Sequence, residues 1–139
     1  MDAHKKKILR DREREMVQRQ PELRKLKRKL LSLGGEAVCL QYEPDLDLLL
    51  TLGQEYAQPV RRVPGVNSAC HLNVGRLFDE KRLAAIVTGW ALSENGIWRQ
   101  HSWGIDWKGR LVETTLPRTR YFGVYMVRET ANEFSAANQ

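Results

Sequence analysis

The turn Asp106-Trp107-Lys108-Gly109 constrains this chain more than any other stretch, because its closure decides which side chains of the two flanking strands share a face. Strand-like alternation runs through Trp98-Arg-Gln-His101-Ser-Trp103-Gly-Ile on one side and Arg110-Leu-Val-Glu113-Thr-Thr115 on the other. A two-residue loop at Lys108-Gly109 would pair Trp107 with Arg110 and set Glu113 opposite Gly104, facing away from His101. A three-residue loop with Gly109 in the left-handed conformation pairs Asp106 with Arg110 and sets Glu113 opposite Trp103. The glycine that ends the loop favours the second closure. His101, Trp103, Glu113 and Thr115 then share one face, with His101 across from Thr115 and diagonal to Glu113. Diagonal positions lie roughly 7–8 Å apart, within reach of a Glu and an imidazole. Glu113 is thus the expected acceptor for one ring nitrogen, fixing the tautomer and leaving the other nitrogen free.

Upstream, Asn67-Ser68-Ala69-Cys70 follows a Pro- and Arg-rich connection and precedes Leu72, Leu77 and Phe78 at helical spacing. The pattern predicts a helix over 69–78 capped by Ser68 or Asn67, with Cys70 in its first turn. Unpaired amides and the helix dipole favour a thiolate there. The two cysteines form no Cys-x-x-Cys, which argues against a disulfide scaffold and a standard zinc module. Cys39, in Glu-Ala-Val-Cys-Leu-Gln, reads as a small buried apolar residue. His71 is expected to point away from the thiol.

A helix-initial cysteine, a Gly-aromatic pair on a following strand (Gly89-Trp90), His101-Ser102-Trp103 and an acidic residue one strand later (Glu113) together resemble the transglutaminase-like branch of the papain-like cysteine enzymes. The likeness covers residues 66–116. It implies Cys70 as nucleophile, His101 as base and Glu113 as orienting acid. The family's usual third member is Asp, so Thr115 and Asp106 stand as alternatives. Oxyanion candidates are Asn67, Gln41, Gln58 and the helix-start amides; Trp103 is the candidate wall of the site. Arg118 and Arg120 read either as a solvated pair or as selectors of an acidic substrate group.

The fold expected is α+β: a small antiparallel β-sheet packed against the helix that carries the cysteine at its N-terminus, over residues 36–128. A basic helical arm (1–35) precedes it and a polar tail (129–139), expected to be disordered from about Thr130, follows. Within the domain, strands are expected over 36–42, 84–92 and 121–127, with a hairpin turn at Glu94-Asn95-Gly96. Asp45 and Asp47 precede Leu48-Leu-Leu-Thr-Leu52, which is expected to be a helix with an acidic first turn that stops near Gly53.

The formal charge of +6 is concentrated: residues 1–33 hold twelve Lys and Arg against five acids, and the rest of the chain is slightly acidic. Leu23, Leu26, Leu30 and Leu33 recur at helical spacing behind Pro21. The arm therefore either contacts nucleic acid, an acidic partner or an anionic membrane surface, or packs its leucines on the domain or on a second copy as a homo-oligomer. No apolar run nears the roughly 20 residues of a membrane span, and no secretory signal is visible, so a cytoplasmic location is expected. No cofactor and no metal site is expected. The functional expectation is cysteine-dependent acyl chemistry on a peptide, amide or protein substrate. The alternative is an inactive relative that binds an anionic partner through the arm.

Overall fold

The computed structural model describes residues 2–126 and 128–137, and these form an α+β fold. Helices α1 (Ala3–Arg19) and α2 (Leu23–Leu33) lead to a short strand β1 (Ala37–Val38), then α3 (Leu46–Leu52) and two short strands, β2 (Gln54–Glu55) and β3 (Val60–Arg62). Helix α4 (Cys70–Asp79) precedes the long strands β4 (Ala85–Ser93) and β5 (Ile97–Ile105). Strands β6 (Leu111–Glu113) and β7 (Arg118–Tyr125) and helix α5 (Arg128–Ala137) complete the fold. No helix among the described residues is long and apolar enough to cross a membrane.

The strands form one sheet in the order β2-β7-β4-β5-β6-β3, with β1 added beside β5. It is mixed, not purely antiparallel as the hairpin pattern predicts: β1 pairs β5 and β3 pairs β6 in parallel. Both exceptions are two- or three-residue strands, too short for alternation to show in the sequence. The expected strand over 36–42 shrinks to β1 for the same reason.

Because the β4–β5 register sets Trp90 opposite Gln100 and Gly89 opposite His101, alternate residues divide cleanly between two faces. Trp90, Leu92, Trp98, Phe122 and Val124 pack against Leu23, Leu26 and Leu30 of α2 and Leu46 and Leu49 of α3. Those three α2 leucines are fully buried, so α2 is part of the core and not a detached arm. Further along the same face, α4 and α5 cover Ile86 and Val112. The opposite, concave face holds Val87, Trp103, Ile105, Leu111, Tyr121 and Tyr56.

Residues 130–137 are not a tail without structure. They belong to α5, whose Ala131 is buried and whose Ser135 hydroxyl donates to the Gly75 carbonyl at 2.9 Å. A helix with only Ala131 and Phe134 to bury gives a weak periodic signal, and contact with α4 supplies what the pattern lacks. Cys39 is half-buried instead of buried, its sulfur 3.7 Å from an Arg12 nitrogen on α1.

Candidate active site

The β5–β6 turn closes by the three-residue route. The Asp106 amide donates to the Arg110 carbonyl at 2.9 Å, the Gly109 amide to the Asp106 carbonyl at 3.0 Å, and Gly109 has φ +78°. Ile105 pairs with Leu111 and Gly104 with Val112, a register that puts Glu113 on the face of Trp103 and His101. Asp106 serves the turn: its carboxylate accepts from the Lys108 and Arg110 amides and from Arg110 Nε, which places it outside the His101 cluster.

His101 and Glu113 meet on the concave face, both buried, with Nε2 lying 2.8 and 3.0 Å from the two carboxylate oxygens. Glu113 also accepts from the Thr115 amide at 3.0 Å, the Thr115 hydroxyl at 3.1 Å and the Tyr121 hydroxyl at 2.9 Å. Thr115 is therefore a holder of the carboxylate, not a replacement for it. A buried carboxylate is tolerable only when its lone pairs are met in this way. Burial pushes Glu113 toward the neutral acid, but the hydrogen bond and charge of His101 outweigh it, helped by Thr115 and Tyr121, and hold its pKa below the usual carboxylate value.

Tyr121 and Ser102 are the two members that sequence reasoning misses. Tyr121 lies on β7, three strands from Glu113 in the sheet order, and reaches it because the sheet curls. Burial and the Glu113 charge push its pKa far up, keeping it a neutral donor. Ser102 shares the Thr88 row and faces the helices, which marks it in the sequence as core packing.

Cys70 is the first residue of α4 and half-buried. On its open flank β5 pairs with β1 only at 97–98 and with β6 only at 104–105. In the gap between, the Cys70 sulfur meets the His101 ring together with the backbone and hydroxyl of Ser102. With Nε2 committed to Glu113, Nδ1 is the ring nitrogen left for the thiol. Burial raises the Cys70 pKa, and the hydrogen bond and positive charge of His101, with the two Ser102 contacts, more than reverse it, so the thiol lies below its ordinary value. Burial likewise opposes charge on His101, and its bonds to Cys70 and Glu113 overcome this, raising its pKa. All three directions favour a thiolate–imidazolium pair backed by a carboxylate.

Neither Ser68 nor Asn67 caps α4. The N-cap is Ala69, without a side-chain cap bond, and Ser68 is held at φ +59° in the turn. The first-turn amides are thus free of a side-chain acceptor and lie beside the thiol. Asn67 is exposed in the turn, and Gln41 is exposed as well, and neither makes a hydrogen bond to Cys70 or His101 among the described residues. Gln58 has a buried Oε1 without a partner and no contact with the triad among the described residues.

Trp103 is fully buried with its ring stacked 6.1 Å from His101 and edge-on to Tyr121 at 5.0 Å, forming a wall of the imidazole's pocket. His71 is not turned clear of the thiol as expected, because it shares the Ser102 hydroxyl with Cys70. Its Nδ1 lies 2.7 Å from the Ser102 hydroxyl, its ring meets Phe134 edge-on, and burial followed by the His101 charge lowers its pKa. No group of three or more His, Cys, Asp or Glu is arranged to hold a metal ion among the described residues. No family model, curated protein or solved structure matches the chain.

Proposed function

We propose that the protein carries out cysteine-dependent acyl chemistry, as a peptidase, amidase or amine acyltransferase of the papain-like and transglutaminase-like kind. The observation that supports this most is the buried His101–Glu113 pair, its carboxylate held also by Thr115 and Tyr121, beside a helix-initial Cys70 whose thiol the His101 ring holds below its ordinary pKa. A structural hairpin has no need of a buried ionic pair, which costs several kcal/mol of desolvation per ion unless compensated.

In this reading His101 holds the Cys70 proton on Nδ1. The thiolate attacks an amide or ester carbonyl, forming a C–S bond, while the first-turn amides of α4 face the developing oxyanion. Collapse breaks the C–N or C–O bond, and His101 passes its proton to the leaving group. Water or an amine then adds to the thioester with His101 as base, the C–S bond breaks, and the thiol is restored.

The test is the rate of Cys70 alkylation by iodoacetamide from pH 5 to 9, with Cys39→Ser so that one thiol reports. An activated pair gives a rate already at plateau well below the ordinary cysteine pKa of about 8.5, and His101→Ala moves the profile back to it. An ordinary titration in both proteins would refute the proposal.

A further inference from the structure

A cleft of about 480 Å³ opens beside the Cys70 helix start, with Ser68 on one rim and Leu116, Pro117 and Arg118 on the other. Ser93, Glu94, Asn95 and Arg99 complete it. Its two arginines, like Arg62 on β3, whose Nη2 donates to the Thr115 carbonyl, lack an acidic partner among the described residues. Arg61 and Arg110 pair with Asp106, Arg120 with Glu55 and Arg82 with Glu80, whereas neither Arg99 nor Arg118 has a carboxylate within ion-pair distance among the described residues. Glu94 shares the cleft but stays exposed and bridges to neither.

Both guanidiniums are tethered in ways that leave donors over. Arg99 Nη1 donates to Ser93 Oγ at 3.2 Å, with Asn95 Oδ1 at 3.5 Å. Arg118 Nη1 donates to the Leu116 carbonyl at 2.7 Å, which fixes the head group, while its Nε is buried with no partner among the described residues. No hydrogen bond engages Nη2 of either arginine among the described residues, and a planar fork held in place through Nη1 suits a carboxylate. Arg99 lies two residues before His101 on β5 and on the same face, and Ser68 lies two residues before Cys70, so this cleft adjoins the triad.

We infer that the acyl donor carries a carboxylate close to its reacting carbonyl and that Arg118, assisted by Arg99, binds it in this cleft. The inference rests on the acyl-transfer reading and names its substrate class: a peptide-like donor with an acidic side chain or a free terminal carboxylate next to the bond attacked.

Alkylation of Cys70 in the Cys39→Ser protein by three probes separates the cases. N-iodoacetyl-glycine carries a terminal carboxylate, N-iodoacetyl-aspartate α-amide a side-chain carboxylate, and N-iodoacetyl-asparagine amide neither. At least one anionic probe should outpace the neutral one by about tenfold, the size of one charge-assisted hydrogen bond set. That ratio should fall toward unity in Arg118→Gln and drop partway in Arg99→Gln. It should persist in Arg120→Gln, which removes the same net charge elsewhere. Which anionic probe is preferred identifies the source of the carboxylate. Should Arg118→Gln not fold, Arg99→Gln carries the comparison, since it gives up only side-chain contacts. An activated thiol with no preference, or a preference equal in all three variants, overturns the carboxylate pocket and leaves the triad standing. A thiol inert toward every probe overturns the acyl-transfer reading itself.

Discussion

Glu113 is buried as deeply as any residue of the core, and its ionisation depends on donors from three separate places: His101 on β5, Thr115 just beyond β6 and Tyr121 on β7. Tyr121→Phe removes one donor while keeping the ring against Trp103. It should cost about 1–3 kcal/mol in urea unfolding and shift the Cys70 alkylation profile to higher pH, because a less well held carboxylate supports the imidazolium less. A merely structural tyrosine would change the first measurement and leave the second alone. The pH dependence follows from the direction of the Glu113 shift. Its folded pKa is depressed, so its contribution is complete above the unfolded value of about 4.3 and is lost as the pH falls through the folded value. Stability should therefore decline from about pH 5 downward in the native protein, and Glu113→Gln should flatten that limb. At this scale the sequence was legible where the rule was local: His101, Glu113, Trp103 and Thr115 share a face because one glycine closes one turn. Tyr121 was not, since its contact requires the sheet to curl through three strands, and no local pattern encodes that. Ser102 was not because its value comes from the unpaired edge of β5, which only the shortness of β1 and β6 creates.

Two glycines set the geometry of the elements that carry the site, and they do so differently. Gly109 sits at φ +78° with open space where a Cβ would go, so Gly109→Ala pays only the left-handed backbone strain, about 1–2 kcal/mol, and keeps the register. Gly89 has ordinary dihedrals but faces the β7 backbone: a Cβ there would lie 2.1 Å from the Phe122 carbonyl oxygen and 2.5 Å from Gly123 Cα. Gly89 stands opposite both His101 and Gly123, so one row across three strands carries a side chain only at His101. At Gly123 itself an added Cβ would meet the Trp103 ring at 2.9 Å. Gly89→Ala should therefore destabilise by more than Gly109→Ala, roughly 3 kcal/mol or above, and should also slow Cys70 alkylation by displacing β7 and with it Tyr121. Thermal unfolding of the two variants side by side checks the order; equal losses would mean that β4 and β7 yield more easily than the backbone spacing implies. The Gly89-Trp90 pair was visible in the sequence as part of a resemblance, and its physical reason is this close approach of strands.

Across the whole molecule, the basic N-terminal region divides into two parts with opposite dependence on the fold. Helix α1 carries its charges to solvent and touches the body through Val17, the half-buried Lys27–Glu13 pair at 2.7 Å and the Arg12 contact with Cys39. Helix α2 inserts Leu23, Leu26 and Leu30 against Trp90 and Trp98, on the far side of the sheet from His101. Leu26→Ala should cost about 2–5 kcal/mol, a large share of the 5–15 kcal/mol typical of a domain. Deleting residues 2–33 removes all three leucines and uncovers the indoles, so that protein should not fold. Deleting residues 2–15 gives up one partly exposed ion pair to the body, Lys27–Glu13, worth about 1 kcal/mol, and should leave both the unfolding transition and the Cys70 alkylation profile close to native. Circular dichroism and urea titration of the two truncations test this, and a stable 34–139 fragment would show that α2 merely rests on the sheet. The same division decides how any anionic partner of the arm is to be sought. Neutralising Lys5, Lys6, Lys7 and Arg10 on α1 removes the charge while α2 keeps the core closed, whereas cutting away the arm would remove charge and fold together.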